Sequence, residues 1–356
     1  MKIATRKLSL VALFALLIAT EAIASTVQVG GCKSEFTNYS TISAAVAAVP
    51  AGSTILVCPG TYAEQVNITQ SLTLQGVQTS TAANPTITVP SGATGTFYQV
   101  NIVGGIGSSI TVNLSNIGVN GSSSSTQGVI GVVYQSASGT LSHMAIYNQG
   151  GAGGTGVFIS NSDSTQTVTV SKSSIHDFTE AAISTYLGGN AVIEGNQIVA
   201  SDSFSGSATG GGIVLYSSGS ITNNLVITHP QPAGVSAGTG IQTESNATVT
   251  GNTIENFTIG IWLLAGSNTA KSNIISLAQS GIDISGDDNI VELNSFTNDD
   301  PSTGGYAIDF NCTGTGNTVI NNTISDTYAA FGAESGPNTT SPNYYFNVPF
   351  IVGAGC

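Results

Sequence analysis

Short segments with the same order of apolar and polar residues recur along the chain. The segments VTGNTI (249–254), AKSNII (270–275) and VELNSF (291–296) share a template of one apolar residue, two variable residues, Asn, one variable residue and one apolar residue. The template Asn recurs at intervals of 28, 28, 21, 21 and 28 residues, at Asn196, Asn224, Asn252, Asn273, Asn294 and Asn322. A repeat of this length is typical of a solenoid, in which each coil packs on the next.

A second template follows the first and consists of a small residue, an aliphatic residue and then residues that point alternately outward and inward. It occurs in GVFIS, AISTY, GIVLY, GIQTE, GIWLL, GIDIS and AIDFN. Alternation predicts a strand with one buried face, whose core residues would be Val157, Ile183, Ile213, Ile241, Ile261, Ile282 and Ile308. Together the templates predict an all-β, single-stranded parallel β-helix of roughly 10–12 coils. We expect Asn in each coil because it tolerates the left-handed backbone conformation and can hydrogen-bond to the next Asn.

The segment at 39–76, YSTISAAVAAVPAGSTILVCPGTYAEQVNITQSLTLQG, predicts a short amphipathic helix followed by a G-x-Y-x-E stretch. The helix would bury Ile42, Ala45, Val46 and Val49, and the stretch contains Gly60, Tyr62 and Glu64. This segment resembles the entry of the pectin-lyase-like right-handed β-helix superfamily. The resemblance implies a right-handed solenoid whose open N-terminal end is plugged by the helix.

The N-terminus has the features of an export signal. Basic residues at Lys2, Arg6 and Lys7 precede an apolar run at 8–18 and an A-x-A motif at 22–24, which predicts a signal peptide at 1–24. Residues 25–356 would form a single β-helix domain, with the cap and first coils at 25–76, further coils at 77–341 and a tail at 342–356. No second apolar stretch reaches the roughly 18 residues of a membrane span. We therefore expect a secreted or periplasmic protein without membrane insertion.

Four cysteines suit an oxidising compartment. They lie near the two ends of the chain, at Cys32, Cys58, Cys312 and Cys356. We expect Cys32 to pair with Cys58 and Cys312 with Cys356, which is one of three possible connectivities.

The charge balance excludes several functions. Without residues 1–24 the chain keeps 18 of its 19 acids and 3 of its 6 basic residues, a formal charge of −15 with no arginine. Such a chain repels nucleic acid and anionic lipid. The absence of arginine also argues against the lyase and methylesterase mechanisms of the pectin-lyase-like superfamily. We expect a monomer that requires no cofactor.

The outward positions of the second template form a candidate ligand face. One column of these positions is Phe158, Ser184, Val214, Gln242, Trp262, Asp283 and Asp309, and the next includes Tyr186, Tyr216 and Glu244. Aromatic faces stack on sugar rings, so Tyr186, Tyr216, Glu244 and Trp262 are candidate substrate-binding residues. The alternative is that a loop or the C-terminal tail covers these aromatic side chains.

Asp283 and Asp309 are predicted to lie side by side on adjacent coils, roughly 5 Å apart in strand spacing. Two such carboxylates without a cation can raise one pKa for proton transfer, as in retaining glycosidases, or recruit calcium together with Asp299 and Asp300. They could also both be solvated. The neighbouring Asp287 and Asp288 are typical of a turn.

These features lead to two hypotheses about function. In the first, a secreted β-helix protein binds, and through Asp283 and Asp309 hydrolyses, an extracellular polysaccharide on an outward sheet face. In the second, the solenoid is a non-catalytic structural or adhesive surface protein.

Overall fold

The computed structural model describes residues 23–78, 84–105, 110–121, 128–186, 188–200, 211–230, 236–244, 246–297, 305–332 and 336–352. Within these residues the chain winds through three parallel sheets of 13, 12 and 12 strands, which we number 1 to 3 in the order each coil crosses them. The predicted parallel β-helix and its number of coils are therefore confirmed.

Each sheet receives one short strand per coil. The strands of sheet 1 are Thr26–Val29, Asn38–Tyr39, Ser53–Val57, Leu72–Gly76, Ile110–Ser115, Ala137–Ser142, Thr167–Ser171, Asn190–Glu194, Gly219–Thr222, Ala247–Thr250, Thr269–Lys271, Ile290–Glu292 and Thr318–Ile320. Those of sheet 2 are Thr61–Ala63, Thr86–Thr88, Gly118–Asn120, Ala145–Gln149, Ser174–Phe178, Gln197–Val199, Leu225–Ile227, Thr253–Glu255, Ile274–Ser276, Ser295–Thr297, Thr323–Ser325 and Tyr344–Phe346. Those of sheet 3 are Val66–Ile68, Phe97–Val103, Val129–Gln135, Thr155–Ser160, Ala181–Tyr186, Gly211–Leu215, Thr239–Thr243, Ile259–Leu263, Ser280–Ile284, Tyr306–Asp309, Ala329–Phe331 and Phe350–Val352.

The core follows the predicted register of sheet 3. The aliphatic residues from Val157 to Ile308 pair in sequence across adjacent strands and are fully buried. The small residue before each of them is required by close packing of successive coils. A Cβ on Gly260, for example, would lie 2.6 Å from the carbonyl oxygen of Gly281.

The template asparagines form a continuous buried ladder between sheets 1 and 2. From Asn224 onward, each side chain accepts hydrogen bonds from the backbone N–H and the amide of the preceding Asn, and the ladder continues to Asn343. The expectation of a left-handed backbone at these positions is wrong. The preceding residue takes that conformation instead, as at Asn223 (φ 55°) and Leu293 (φ 59°). Asn is therefore needed at these positions for the hydrogen bonds of its side-chain amide, and not for its tolerance of a left-handed backbone.

The N-terminal end is capped as the resemblance implied. The helix Ile42–Ala48 begins after Thr41, whose hydroxyl accepts from the Ala44 N–H at 3.1 Å. The Glu64 carboxylate accepts from the Ile42 and Ser43 N–H groups at 2.9 and 2.8 Å. The G-x-Y-x-E stretch thus binds the free N–H groups of the helix to the first coil.

Other predictions about the ends of the chain have mixed outcomes. Cys32 and Cys58 form a disulfide; Cys312 is also disulfide-bonded, and its predicted partner Cys356 lies outside the described residues. The segment predicted as a tail continues the solenoid instead, because Tyr344–Phe346 and Phe350–Val352 extend sheets 2 and 3. Most of the predicted signal peptide also lies outside the described residues. In the part of the chain that is described, no helix has the length and apolar character of a membrane span.

We expect Ile282→Ala to lower the free energy of unfolding by about 3 kcal/mol, because the Ile282 side chain is fully buried between coils and its loss leaves a cavity. Urea denaturation would measure the change. Ile290→Ala is a matched control, since Ile290 is 41% exposed on the outer face of sheet 1. An equal cost at the two positions would contradict the register of the core.

Candidate functional site

The predicted column of residues is present on sheet 3, although Val214, Gln242 and Asp283 within it are buried. Its members pair in register from one strand to the next, and we call them the sheet 3 strip: Phe158, Ser184, Val214, Gln242, Trp262, Asp283 and Asp309. The strip changes along the solenoid axis from aromatic and small residues to two aspartates. Its two ends therefore offer different chemistry.

The aromatic end of the strip contains a cavity of about 290 Å³, which we call the aromatic groove. Its lining residues are Ile130, Gly153, Thr155, Phe158, Glu180, Ala181, Ser184, Thr185, Tyr186 and Tyr216. Tyr186 and Tyr216 are thus brought together as predicted, and the exposed surface of Tyr186 is 57% of its maximum. Glu244 and Trp262 do not line this cavity.

Sequence reasoning missed Glu180, Thr155 and Ile130 in the lining of the groove. The prediction covered only the outward positions that follow the aliphatic residue of the second template. Ile130, Thr155 and Ala181 form a further register column, which lies before that aliphatic residue in each strand. The repeat could have revealed this column. That Glu180 also faces the groove depends on how its connection folds, which the repeat does not encode.

A polar network lies between the groove and the acids. The Gln242 amide donates to the Tyr216 hydroxyl at 3.2 Å, and Gln242 is only 3% exposed. The Trp262 indole N–H donates to the Ser285 hydroxyl at 3.0 Å, which also accepts from Asn311 Nδ2 at 3.1 Å. These contacts hold Trp262 beside Asp283, its register partner on the next strand.

Asp283 is the most unusual ionisable residue of the strip. It is 9% exposed and accepts a short hydrogen bond from the Ser280 hydroxyl. Burial raises the pKa of Asp283 to about 7, and the Asp309 carboxylate adds to the rise, while the Ser280 hydrogen bond opposes it. Asp283 therefore keeps its proton up to near-neutral pH.

Asp309 lies in a different environment from its register partner Asp283. It is half-buried and accepts a hydrogen bond from the Asn311 N–H at 3.1 Å. A Cβ at Gly332, on the following coil, would collide with Asp309 Oδ1. The carboxylate thus occupies the space that the glycine leaves, on the side away from Asp283.

The remaining predicted acids are not brought into this pair. Asp287 and Asp288 lie in an exposed turn, and Asp287 accepts from the Thr315 N–H and hydroxyl of the next coil at 2.7 and 2.9 Å. Those hydrogen bonds lower the pKa of Asp287. Asp299 and Asp300 lie outside the described residues. Two carboxylates are fewer than the six to eight oxygens that calcium takes, so calcium binding stays a prediction.

Comparison with protein families agrees with the architecture. A model of the right-handed β-helix region matches residues 203–345. A second model, described as periplasmic copper-binding protein (NosD), matches residues 88–271, which is more than half of the chain. The chain belongs to this NosD family of β-helix proteins. The right-handed, pectin-lyase-like fold implied by the N-terminal resemblance is thereby confirmed.

Solved structures show the same fold at low sequence identity. GH136 lacto-N-biosidase from Eubacterium ramulus has 11% identity and a TM-score of 0.58, covering 93% of this chain and 67% of that chain. The Dettilon tailspike protein (gp208) has 15% identity and a TM-score of 0.57, covering 83% and 62%. DFA-IIIase from Arthrobacter chlorophenolicus A6 in complex with GF2 has 16% identity and a TM-score of 0.53, covering 77% and 74%. No curated protein matches the chain.

The family description names copper, which the described residues would have to ligate. Copper is held by imidazole and sulfur ligands in proteins. Within the described ranges, no group of three or more His, Cys, Asp or Glu side chains could hold a metal ion. His176 contacts Asp177 at 2.6 Å on sheet 2, which is a pair and not a cluster. The described residues of this NosD-family chain therefore do not fit a copper site.

Proposed function

We propose that this NosD-family protein binds polysaccharide outside the cytoplasm along the sheet 3 strip and hydrolyses it at Asp283 and Asp309. The observation that carries the proposal is that the aromatic groove and the acid pair belong to one register column of one sheet. Tyr186 and Tyr216 offer aromatic faces for stacking on sugar rings, and Ser184 offers a hydroxyl beside them. The Cys32–Cys58 disulfide is consistent with an extracytoplasmic location.

The positions of the two ends suit an extended ligand. The strand of Asp283 lies four strands beyond that of Ser184, the nearest member of the strip that lines the groove. At ~4.8 Å per strand this is roughly 19 Å along the solenoid axis. Val214 and Gln242 lie between the two ends and are buried, so a chain of several sugars that contacts both the groove and the acids requires the cover over these two residues to move. Solved neighbours named lacto-N-biosidase and DFA-IIIase support a glycan as the ligand class.

The acid pair supplies the two groups that glycoside hydrolysis needs. Asp283, with its raised pKa, would donate its proton to the glycosidic oxygen as the bond to the anomeric carbon breaks. Asp309 would attack the anomeric carbon and form a glycosyl ester, which requires its carboxylate to turn from Gly332 toward Asp283, its register partner on the adjacent strand, to reach the ~5–5.5 Å separation of retaining glycosidases. Asp283 would then accept a proton from the water that cleaves the ester.

A glycan array followed by a reducing-sugar assay on the bound glycans tests the proposal. We expect Tyr216→Ala to weaken binding about tenfold through lost stacking. Asp283→Asn and Asp309→Asn should each retain binding and lower sugar release by at least about a hundredfold. Asp287→Asn is the matched control, because it makes the same replacement of a carboxyl group by an amide in an exposed turn outside the site.

The outcomes separate the alternatives. Binding without sugar release from the wild type would contradict hydrolysis and leave a glycan-binding module. The absence of both binding and release would contradict the proposal and favour the structural or adhesive hypothesis. If Asp287→Asn lowered sugar release as much as Asp283→Asn does, the catalytic role proposed for Asp283 and Asp309 would be contradicted.

A further inference from the structure

We propose that the sheet 3 strip selects uncharged glycans and rejects those that carry carboxylates or sulfates. This inference rests on the proposed function and narrows its ligand class. It follows from the sign of the charges on the strip and from the location of every lysine outside the predicted signal peptide.

The ionisable side chains at the strip are acidic. Glu180 lines the aromatic groove, and Asp283 and Asp309 form the far end of the strip. Glu244, at the end of the strand Thr239–Thr243, is exposed. A ligand that lies along the strip would therefore meet acids at both ends.

The lysines lie elsewhere on the solenoid. Outside residues 1–24 the chain contains only Lys33, Lys172 and Lys271 and no arginine. Lys271 is on sheet 1, where it forms an ion pair at 2.6 Å with Glu292, its register partner on the next coil. Lys172 follows the sheet 1 strand Thr167–Ser171, and Lys33 follows the disulfide-bonded Cys32. None of the three belongs to sheet 3.

A site with this charge pattern discriminates by repulsion. Proteins that recognise carboxylates and sulfates use arginine forks or lysines that neutralise the anion. A uronate in the aromatic groove would instead place its charge near Glu180 with no lysine on the same sheet. A neutral sugar carries no such cost and can still stack on Tyr186 and Tyr216 and hydrogen-bond to nearby hydroxyls. The net charge of the whole chain acts in the same direction on association.

Two matched pairs of oligosaccharides, each differing mainly in charge, test the inference. The first pair is cellohexaose and the same hexasaccharide with its primary hydroxyls oxidised to carboxylates. The second is galacturonan hexasaccharide and its full methyl ester. Both are measured by titration calorimetry with the wild type, alongside an array that contains neutral, uronate and sulfated glycans. We expect every charged form to bind at least about tenfold more weakly than its neutral counterpart at low salt, with the difference shrinking at about 0.5 M NaCl because salt screens the repulsion.

Variants locate the source of the selection. Glu180→Gln should narrow the difference between charged and neutral ligands. Glu255→Gln, which removes the same charge from the outer face of sheet 2, should leave the difference unchanged. An equal effect of the two variants would overturn the assignment to the groove. If Glu180→Gln fails to fold, the wild type still tests the inference. Electrostatic repulsion of charged glycans predicts that the affinity difference between charged and neutral ligands shrinks as salt is added, and its absence predicts no change.

Failure of the inference differs from failure of the proposed function. Charged forms that bind as tightly as neutral ones, or array hits confined to uronates and sulfated glycans, would overturn the charge selection and leave glycan binding intact. The absence of binding to every member of the array would overturn the proposed function, and the selection with it.

Discussion

Asn273→Ala should lower the free energy of unfolding by about 4 kcal/mol or more. The Asn273 amide donates to the Val249 carbonyl and to Asn294 Oδ1, both at 2.9 Å. Its Oδ1 accepts from the N–H and the amide of Asn252, both at 3.0 Å. Alanine would leave these buried partners without hydrogen bonds, and each orphaned group costs about 1–3 kcal/mol. Urea denaturation, with the midpoint and the slope compared, would measure the loss.

Asn343→Ala is the matched control for this experiment. Asn343 is the last member of the same ladder in the described residues and is only partly buried, so water can replace its partners. Its replacement should cost clearly less than that of Asn273. An equal or smaller loss at Asn273 would show that the ladder does not stabilise the solenoid through buried hydrogen bonds.

Asp283→Asn should stabilise the protein at alkaline pH, by about 4 kcal/mol at pH 8. The folded-state pKa of Asp283 is about 7, against a reference value of 3.8. Between these two values the folded state holds a proton that the unfolded state releases. The contribution of Asp283 to stability is therefore fully present below about pH 4 and is lost as the pH rises to about 7, at up to about 1.4 kcal/mol per pH unit.

The decisive measurement is the difference in unfolding free energy between Asp283→Asn and the wild type from pH 4 to pH 8. We expect the difference to increase through this window in favour of the variant and then to level off, because asparagine carries no charge to desolvate. Asp287→Asn controls for the loss of a carboxylate, since the pKa of the exposed Asp287 is lowered and no gain at alkaline pH is expected. A difference that does not change with pH would contradict the raised pKa.

The two properties of Asp283 are connected through the proposed function. Burial makes the charged carboxylate costly, and the same burial lets Asp283 carry a proton at near-neutral pH. A substitution that stabilises the fold while it lowers sugar release would be the usual exchange between stability and activity at a catalytic residue. A stabilised variant with full activity would place the proton donor elsewhere.

The sequence alone determined the fold, the register between coils and which residues stack on one another along each sheet. In a solenoid, residues one repeat apart become neighbours across a parallel ladder, so a period of 21 to 28 residues places Asp283 beside Asp309 and Lys271 beside Glu292. The buried face follows from alternation, as at Ile282. These features depend on local spacing, which one chain displays directly.

Only the tertiary structure decided how each column position is used. The register makes Asp283 an outward residue, yet it is buried in the folded chain and contacts the Ser280 hydroxyl, and burial is what raises its pKa. Glu180 enters the groove lining from a connection, and Gly332 sets where the Asp309 carboxylate lies. These outcomes depend on rotamers, on connections of unequal length and on contacts between coils. A repeat pattern states which residues are neighbours, but not how deeply each side chain is covered.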